Sequence, residues 1–171
     1  MDFFKDIDDI RNSFHEFAKL LPSDGTLIIN NEIEKMETIT EGLSCRVITY
    51  GLNDFADYSA RNLAYDEMGC TSFDFYRFGE FVERIRLSVT GDHNVSNALA
   101  AIAAGDLTAV PLDAIKKGLL SFRGTNRRFE YKGEKNGVTI IDDYAHHPTE
   151  IKATLTSVKH YPCLLYTSRC V

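Results

Sequence analysis

The stretch 137-GVTIIDDYAHHPTEI-151 joins a short strand, a polar loop and the first turn of a helix. "GVTII" is apolar and rich in β-branched residues, which is typical of a buried strand, and Asp142 and Asp143 follow at its end. Pro148 favours the first turn of a helix, and apolar residues recur after it at helical spacing, so we predict a helix with a core-facing side. These residues are Ile151, Leu155 and Val158.

The chain before this stretch alternates the same two patterns. "TLIIN" and "CRVITYG" predict strands, and residues 32–39 predict a short helix between them. Residues 57–89 alternate apolar and polar side chains, which predicts antiparallel, half-exposed strands with a turn at "RFGEF". Residues 6–21 predict a helix with one apolar face. That face consists of Ile7, Ile10, Phe14, Phe17, Ala18 and Leu21.

Two further helices are predicted in the middle of the chain. "GDHNVSNALAAIAAG" has its apolar residues on one face, and we expect this helix to stop at Gly105. The next helix is expected to carry Pro111 in its first turn and to run to about Leu120.

The fold class that follows is α/β, with helices around a mixed sheet. The loop "FRGTNRR" at 122–128 separates a helix pair from a new strand pair, so we predict one domain over 1–122 and the start of another over 123–162. The ending "CLLYTSRCV", residues 163–171, has no helical period, and we interpret it as a tail foreign to the natural gene.

Composition excludes several classes of protein. The 171 residues are 44% hydrophobic and carry a net charge of −6, which suits a globular chain and disfavours sequence-independent binding of nucleic acid. No apolar run approaches the roughly 20 residues of a membrane span, and the acidic start does not resemble a signal peptide. The four cysteines form no CxxC pair, which indicates reduced thiols and a cytoplasmic protein.

Three clusters of polar residues are candidates for binding, and each has a simpler alternative. Asn94 and Asn97 lie three residues apart at a helix start, where they can contact a purine; the simpler alternative is that Asp92 or Asn94 caps the helix. The loop arginines can bind phosphate or lie solvated in a linker. These arginines are Arg123, Arg127 and Arg128.

The third cluster follows the strand end at Asp142–Asp143, where open α/β sheets bind ligands. A carboxylate there can accept a ribose hydroxyl, or it can close the turn. His146 and His147 can face a ligand, or one of them can pack on the sheet. Metal ligation by the two is disfavoured, because adjacent histidines point apart and neither has a partner four residues away.

Together these stretches resemble the Mur ligase family of ATP-dependent amino-acid ligases. Three blocks carry the likeness in the family's order: "GDHNVSNALAAIAAG", "FRGTNRRFEYKG" and "GVTIIDDYAHHPTEI". The likeness covers about residues 1–162, and the last block looks most like the alanine-adding members. It implies part of a central ATP-binding domain followed by the start of a Rossmann-like C-terminal domain.

The resemblance also implies a reaction. ATP phosphorylates the lactyl carboxylate of UDP-N-acetylmuramate, and the amine of L-alanine attacks the resulting acyl phosphate. The family's adenine-binding asparagine matches Asn94, with His93 and Asn97 beside it. The family's nucleotide-binding arginine matches Arg128, and Arg127 is its neighbour.

On the other side of the implied site, the family's acid near the ribose matches Asp143. Tyr144, His146 and His147 would then face the substrate cleft, where a histidine contacts the incoming amino acid. Arg128, His146 and His147 are the catalytic candidates.

The sequence departs from the family pattern in one important respect. It has no G-x-x-x-x-G-K-[ST] phosphate loop, and the family's Mg²⁺ ligands lie mostly before the matched region. We therefore expect an internal fragment that has no ligase activity alone.

Two alternatives remain open. A family member that recycles a murein tripeptide shares a similar "HHPT" block, although Tyr144 and Glu150 favour the alanine-adding enzyme. A non-catalytic nucleotide-binding module is the alternative from another class.

Overall fold

A computed structural model describes residues 4–159. Five strands form one mixed sheet in the order β1-β2-β3-β4-β5, and two more form a separate hairpin. The strands of the sheet are β1 (Thr26–Asn30), β2 (Arg46–Gly51), β3 (Tyr58–Tyr65), β4 (Cys70–Arg77) and β5 (Glu80–Thr90). The predicted α/β class with a mixed sheet is confirmed, and the predicted tail at 163–171 lies outside the described residues.

The sheet changes from parallel to antiparallel at β3. Strands β1, β2 and β3 run parallel, whereas β3, β4 and β5 pair antiparallel, as the period-two pattern predicts. The β4–β5 turn passes through Phe78 and Gly79, both with positive φ, which is the hairpin geometry that matches strand twist.

The helices are α1 (Ile7–Ala18), α2 (Glu37–Thr40), α3 (Asp92–Leu107), α4 (Leu112–Ser121) and α5 (Pro148–Val158). Helix α3 supplies the core against the sheet. Its buried residues include Val95, Leu99 and Ile102, which pack in one cluster with Phe73 and Ile85 of the sheet. Apolar residues at helical spacing thus meet apolar residues at alternating strand positions, and burial of these side chains holds the first part of the chain together.

Three predicted helix boundaries are wrong. Helix α3 does not stop at Gly105 but continues to Leu107. Gly105 instead allows α3 and α4 to pack closely, because a Cβ at this position would lie 2.7 Å from Cδ1 of Ile115 on α4. Pro111 precedes α4 as its N-cap rather than lying inside its first turn, and the predicted helix over 32–39 shrinks to Glu37–Thr40.

Two predicted core faces are also wrong. On α1, Phe14 and Phe17 are exposed; Ala18 is the buried residue of the predicted face, and Arg11 from outside that face is buried with it. On α5, Ile151 and Leu155 are exposed, and Ser157 is the buried residue. Helical spacing identifies an apolar face, but it does not say whether another element covers that face.

The second part of the chain is a hairpin followed by α5. Strands β6 (Glu130–Lys135) and β7 (Val138–Asp142) pair antiparallel around Asn136 and Gly137, which both have positive φ. Helix α5 then lies against the start of α3, where Gly91 leaves room for Ser157: a Cβ at Gly91 would lie 2.5 Å from its Oγ. The predicted boundary at 122/123 falls directly after α4, and it stays a prediction.

Candidate functional site

A cavity of about 820 Å³ lies between the first part of the chain and the β6–β7 hairpin. Its floor comes from the ends of β4 and β5 and from the first turns of α3, and its other walls come from the loop after α4 and the hairpin. This volume is within the range of pockets that hold a nucleotide-sized ligand. Five of the candidate residues line it: His93, Asn94, Asn97, Arg123 and Arg128.

The asparagines at the start of α3 do not cap the helix. The N-cap is Gly91, and no side chain caps this end. The side chain of Asn94 donates to the Thr90 carbonyl oxygen at 2.8 Å, and Asp92 accepts from the Tyr65 hydroxyl at 2.7 Å. The capping interpretation is therefore wrong, and the helix N-terminus with its partial positive charge faces the cavity region uncapped by side chains.

Asn97 lies beside Asn94, as the spacing of three predicts. Its amide donates to the Asn94 side-chain oxygen at 3.4 Å, so both amides lie on the cavity side of α3. Each amide offers a donor and an acceptor, which is the pair of groups that the edge of a purine requires.

His93 stands between the main cavity and a smaller one of about 250 Å³ against α5. Burial lowers the pKa of its imidazole, while the carboxylates of Asp143 and Asp92 act in the opposite direction. The ring is therefore favoured in its neutral form, as a hydrogen-bonding group rather than a cation.

The three loop arginines separate into two groups. Arg123 and Arg128 line the cavity, and Arg128 Nη1 lies 3.6 Å from Glu150 Oε1. Arg127 does not line it: its guanidinium lies over the Tyr144 ring, 4.4 Å from the centroid. Two arginines of one loop therefore place positive charge at the cavity, although the chain as a whole is acidic. This positive charge suits an anionic ligand.

Asp143 closes the turn after β7. Its carboxylate accepts hydrogen bonds from the backbone N–H of Phe129 at 2.9 Å and of Ala145 at 2.7 Å. The alternative that an aspartate caps this turn is confirmed. Contact between Asp143 and a ribose stays a prediction, although the carboxylate is near enough to influence His93.

The two adjacent histidines are held at the start of α5 and do not line the cavity. His147 is the N-cap, and its Nδ1 accepts from the Thr149 N–H at 3.3 Å. His146 Nδ1 lies 3.1 Å from the Tyr144 carbonyl oxygen, and the centroids of the Tyr144 and His146 rings are 5.1 Å apart. Neither histidine packs on the sheet, so that alternative is wrong, and substrate contact by Tyr144, His146 and His147 stays a prediction.

Residues 4–159 offer no complete metal site. Among them, no three histidine, cysteine, aspartate or glutamate side chains come together around one point. The described residues therefore do not fit a Mg²⁺ ion on their own.

Several cavity residues were missed by sequence reasoning. Phe129 and Tyr131 line the hairpin side, and Cys70 lines the floor with a thiol whose pKa burial raises. Alternation along β4 and β6 predicts which side chains share a face, but not that two separate sheets meet there.

Comparison with known families matches both parts of the chain. The Mur ligase middle domain matches residues 1–105, and the Mur ligase glutamate ligase domain matches residues 127–168. The cavity residues on β4, β5 and α3 therefore lie in the first matched segment, and those on the hairpin lie in the second. The loop that carries Arg123 lies between the two segments.

Curated relatives are similar over almost the whole chain. The UDP-N-acetylmuramate–L-alanine ligase of Lachnoclostridium phytofermentans is 53% identical over 95% of this chain, and that of Lachnospira eligens is 55% identical over 95%. The chain spans 37% and 36% of their lengths, about a third of each.

Solved structures of several Mur ligases share the fold. MurF of Acinetobacter baumannii matches with a TM-score of 0.80 at 25% identity, over 92% of this chain and 34% of that one. The UDP-N-acetylmuramate–alanine ligase MurC of Thermotoga maritima matches with 0.75 at 25%, over 91% and 34%. A murein peptide ligase of Psychrobacter arcticus matches with 0.66 at 30%, over 91% and 33%.

No helix among residues 4–159 is both long and apolar enough to span a membrane. The middle-domain match covers more than half of the chain, and the cavity gathers residues from all three sequence blocks that resemble this family. The chain belongs to the Mur ligase family.

Proposed function

We propose that this chain is part of an ATP-dependent ligase that joins L-alanine to UDP-N-acetylmuramate. The observation that carries the proposal is the identity of 53–55% with curated ligases of that name, over 95% of the chain. The TM-score does not select one member, because ligases with different substrates share this fold at similar scores.

The cavity is the proposed site for the adenosine part of ATP. Asn94 and Asn97 present paired amide groups for the purine edge, and His93 supplies a neutral imidazole beside them. Arg123 and Arg128 supply positive charge for phosphate oxygens. Asp143 is the proposed acid on the ribose side. The family resemblance implies a nucleotide role for Arg127 as the neighbour of Arg128, but its position over the Tyr144 ring argues against direct contact with the nucleotide.

The chemistry requires ATP to transfer its γ-phosphoryl group to a carboxylate, after which an amine attacks the acyl phosphate. Arg128 would neutralise charge that develops on the transferred phosphoryl group. Tyr144, His146 and His147 would bind and orient the acceptor substrate from the start of α5. Mg²⁺ would accompany the triphosphate, with its ligands supplied mostly from outside this chain. These substrates are cytoplasmic metabolites, so the proposal places the protein in the cytoplasm.

Two measurements test the proposal. Isothermal titration of the 171-residue chain with ADP should give saturable binding that GDP does not reproduce, and the Asn94→Ala variant should weaken it. Absence of binding at millimolar ADP would sink the nucleotide assignment.

The substrate is tested by transplantation. The matching segment of the Lachnoclostridium phytofermentans ligase is replaced by residues 1–159 of this chain, and phosphate release is measured with alanine or tripeptide as acceptor. We expect turnover with alanine.

The second candidate is a ligase that adds a murein tripeptide, favoured by the 30% identity with the Psychrobacter arcticus structure. Turnover of the chimera with tripeptide and not with alanine would select it. A chimera that binds ADP but turns over neither acceptor would favour a non-catalytic nucleotide-binding module.

A further inference from the structure

Glu150 lies where the loop arginine and the histidine pair come together. It is the third residue of α5, and its side chain is about one third exposed (34%). Its Oε2 accepts hydrogen bonds from the backbone N–H of His146 at 3.3 Å and of His147 at 3.2 Å. Its Oε1 faces Arg128 Nη1 at 3.6 Å. The two oxygens of one carboxylate therefore serve two different parts of the site.

The surroundings of Glu150 favour its charged form. The backbone N–H groups of His147 and His146 hold the pKa of this carboxyl below its ordinary value, and the nearby His146 ring and Arg128 act in the same direction. An ionised carboxylate is what an arginine partner requires, so the charge and the 3.6 Å separation agree.

Arg128 is the residue that benefits from this contact. Its side chain is 55% exposed and lines the cavity, so without a partner the guanidinium would sample many rotamers. A carboxylate that holds one edge of the guanidinium leaves its other N–H groups for a ligand and reduces the entropy lost on binding.

We propose that Glu150 is a positioning residue, which holds Arg128 at the cavity while it fixes the backbone of His146 and His147. One carboxylate thus ties the nucleotide side of the site to the acceptor side. The inference rests on the proposed function, because it assigns the cavity to a nucleotide.

A glutamine separates the two tasks of this residue. In Glu150→Gln, the amide oxygen still accepts from the backbone N–H groups of His146 and His147, so the cap of α5 is retained. The amide carries no charge for Arg128. A purely structural role predicts no change in nucleotide affinity for this variant, whereas the positioning role predicts a loss.

The test is a double-mutant cycle on the full 171-residue chain, with ADP as the titrated probe. We expect Arg128→Ala to weaken ADP binding about tenfold and Glu150→Gln about threefold. The double variant should bind ADP no more weakly than Arg128→Ala alone, because Glu150 acts through Arg128. The thermal midpoint of Glu150→Gln should fall no further than that of Glu16→Gln, the charge-matched control described below, because the backbone hydrogen bonds of the cap remain.

Glu16 and Lys19 supply the matched control. They form an exposed ion pair at 2.9 Å on α1, which contributes no residue to the cavity wall. Glu16→Gln removes the same charge from the chain, and Lys19→Ala removes a cation. We expect neither variant to change ADP affinity. A loss of ADP affinity that occurs in Glu150→Gln but not in Glu16→Gln is then not an effect of net charge.

Each outcome decides the inference. Unchanged affinity in Glu150→Gln, an equal loss in the Arg128→Ala background, or a loss of affinity accompanied by a thermal midpoint well below that of Glu16→Gln would overturn it. These results leave the proposed function standing, because the unsubstituted chain still binds ADP. Failure of the unsubstituted chain to bind ADP overturns both.

Discussion

The two parts of the chain that form the cavity differ in how they are held. The part before residue 122 has its own core, in which Phe73, Leu99 and Ile85 are completely buried. In the described residues after 122, only Ser157 is buried, and Tyr131 and Ile140 are about half exposed or more. The first part can therefore hold its shape alone, whereas the hairpin and α5 depend on what they lie against.

This difference matters for the site. A single two-stranded hairpin is marginally stable in water, and α5 reaches the first part at the start of α3, near Gly91. The cavity wall needs both parts, because Asn94 comes from the first and Arg128 lies at the entrance to the second. The floor of the site is consequently rigid, and its other wall is the part that a small change can displace.

The largest contrast is expected from a matched pair of aromatic truncations. Phe73→Ala should reduce the free energy of unfolding by about 3–5 kcal/mol, because it leaves a cavity in the core. Tyr131→Ala should cost about 0.5 kcal/mol or less, since that ring is 59% exposed. Urea unfolding measures both. Similar losses at the two positions would contradict the contrast.

The contact between the parts is broken most directly at Gly91. Gly91→Ala places a Cβ 2.5 Å from Ser157 Oγ, at a φ of +90° that L-residues avoid. We expect a loss of about 1–3 kcal/mol, with faster hydrogen exchange across α5 and not across β4.

Gly118→Ala on α4 is the control for the Gly91 variant. Nothing lies within 4 Å of its added methyl group, and alanine favours helix, so it should stabilise by about 0.5–1 kcal/mol. Unchanged exchange across α5 in Gly91→Ala would show that this contact does not hold the helix.

Within the first part, Asp106 links α3 to the sheet. It accepts from the Tyr58 hydroxyl at 2.5 Å and from Arg77 at 2.9 and 3.0 Å. Asp106→Asn should cost about 1 kcal/mol near neutral pH, because the carboxylate is a third exposed and solvent screens the ion pair. Thermal unfolding across a pH series measures the loss.

The same variant has a distinct pH profile. The Tyr58 hydrogen bond, and then Arg77, lower the Asp106 pKa below 3.8, so its stabilisation is present above about pH 4 and lost as the pH falls further. Burial, and then Asp106, raise the Tyr58 pKa from 10.0 to about 12, so that contribution is present below pH 10 and lost as the pH rises towards 12. Asp106→Asn should remove the loss of stability that this carboxylate causes at low pH, and it should reduce the loss of stability at high pH. An unchanged profile would refute this.

A small effect on stability and almost none on ADP affinity are expected at Arg127. Arg127→Ala removes a cation–π contact with the exposed Tyr144 ring and should cost about 0.5–1 kcal/mol. Because Arg127 does not line the cavity, the geometry predicts ADP affinity within about twofold of the unsubstituted chain. A tenfold loss in the ADP titration would instead favour the nucleotide role that the family resemblance implies.

Sequence patterns predicted most elements of this fold, because local spacing records which residues share a face. They failed where the outcome depends on a second element. The apolar face of α1 has Phe14 and Phe17 at the predicted positions, yet both side chains stay more than half exposed. A glycine near a helix end predicts that the helix stops there, but Gly105 lies inside α3, where the absence of a side chain leaves room for Ile115.

The site was predictable in part for the same reason. Asn94 and Asn97 share a helix face by spacing alone, and they line the cavity together. The positions of His146 and His147 depend on backbone hydrogen bonds to Glu150, which a residue pattern does not reveal. Arg127 has a positive φ of 60°, and its side chain lies over Tyr144 while Arg128 lines the cavity; the sequence does not predict this separation.

The contact between Gly105 and Ile115 has a consequence for how sequences of this family diverge. The two positions share one space, since a methyl group at 105 would meet the end of the isoleucine side chain at 2.7 Å. That end is flexible, so an alanine at 105 calls for a shorter or redirected side chain at 115. The two positions should therefore covary. In a library that randomises both, functional clones should show different residues at 105 and 115, but the summed volume of the two side chains should stay nearly constant.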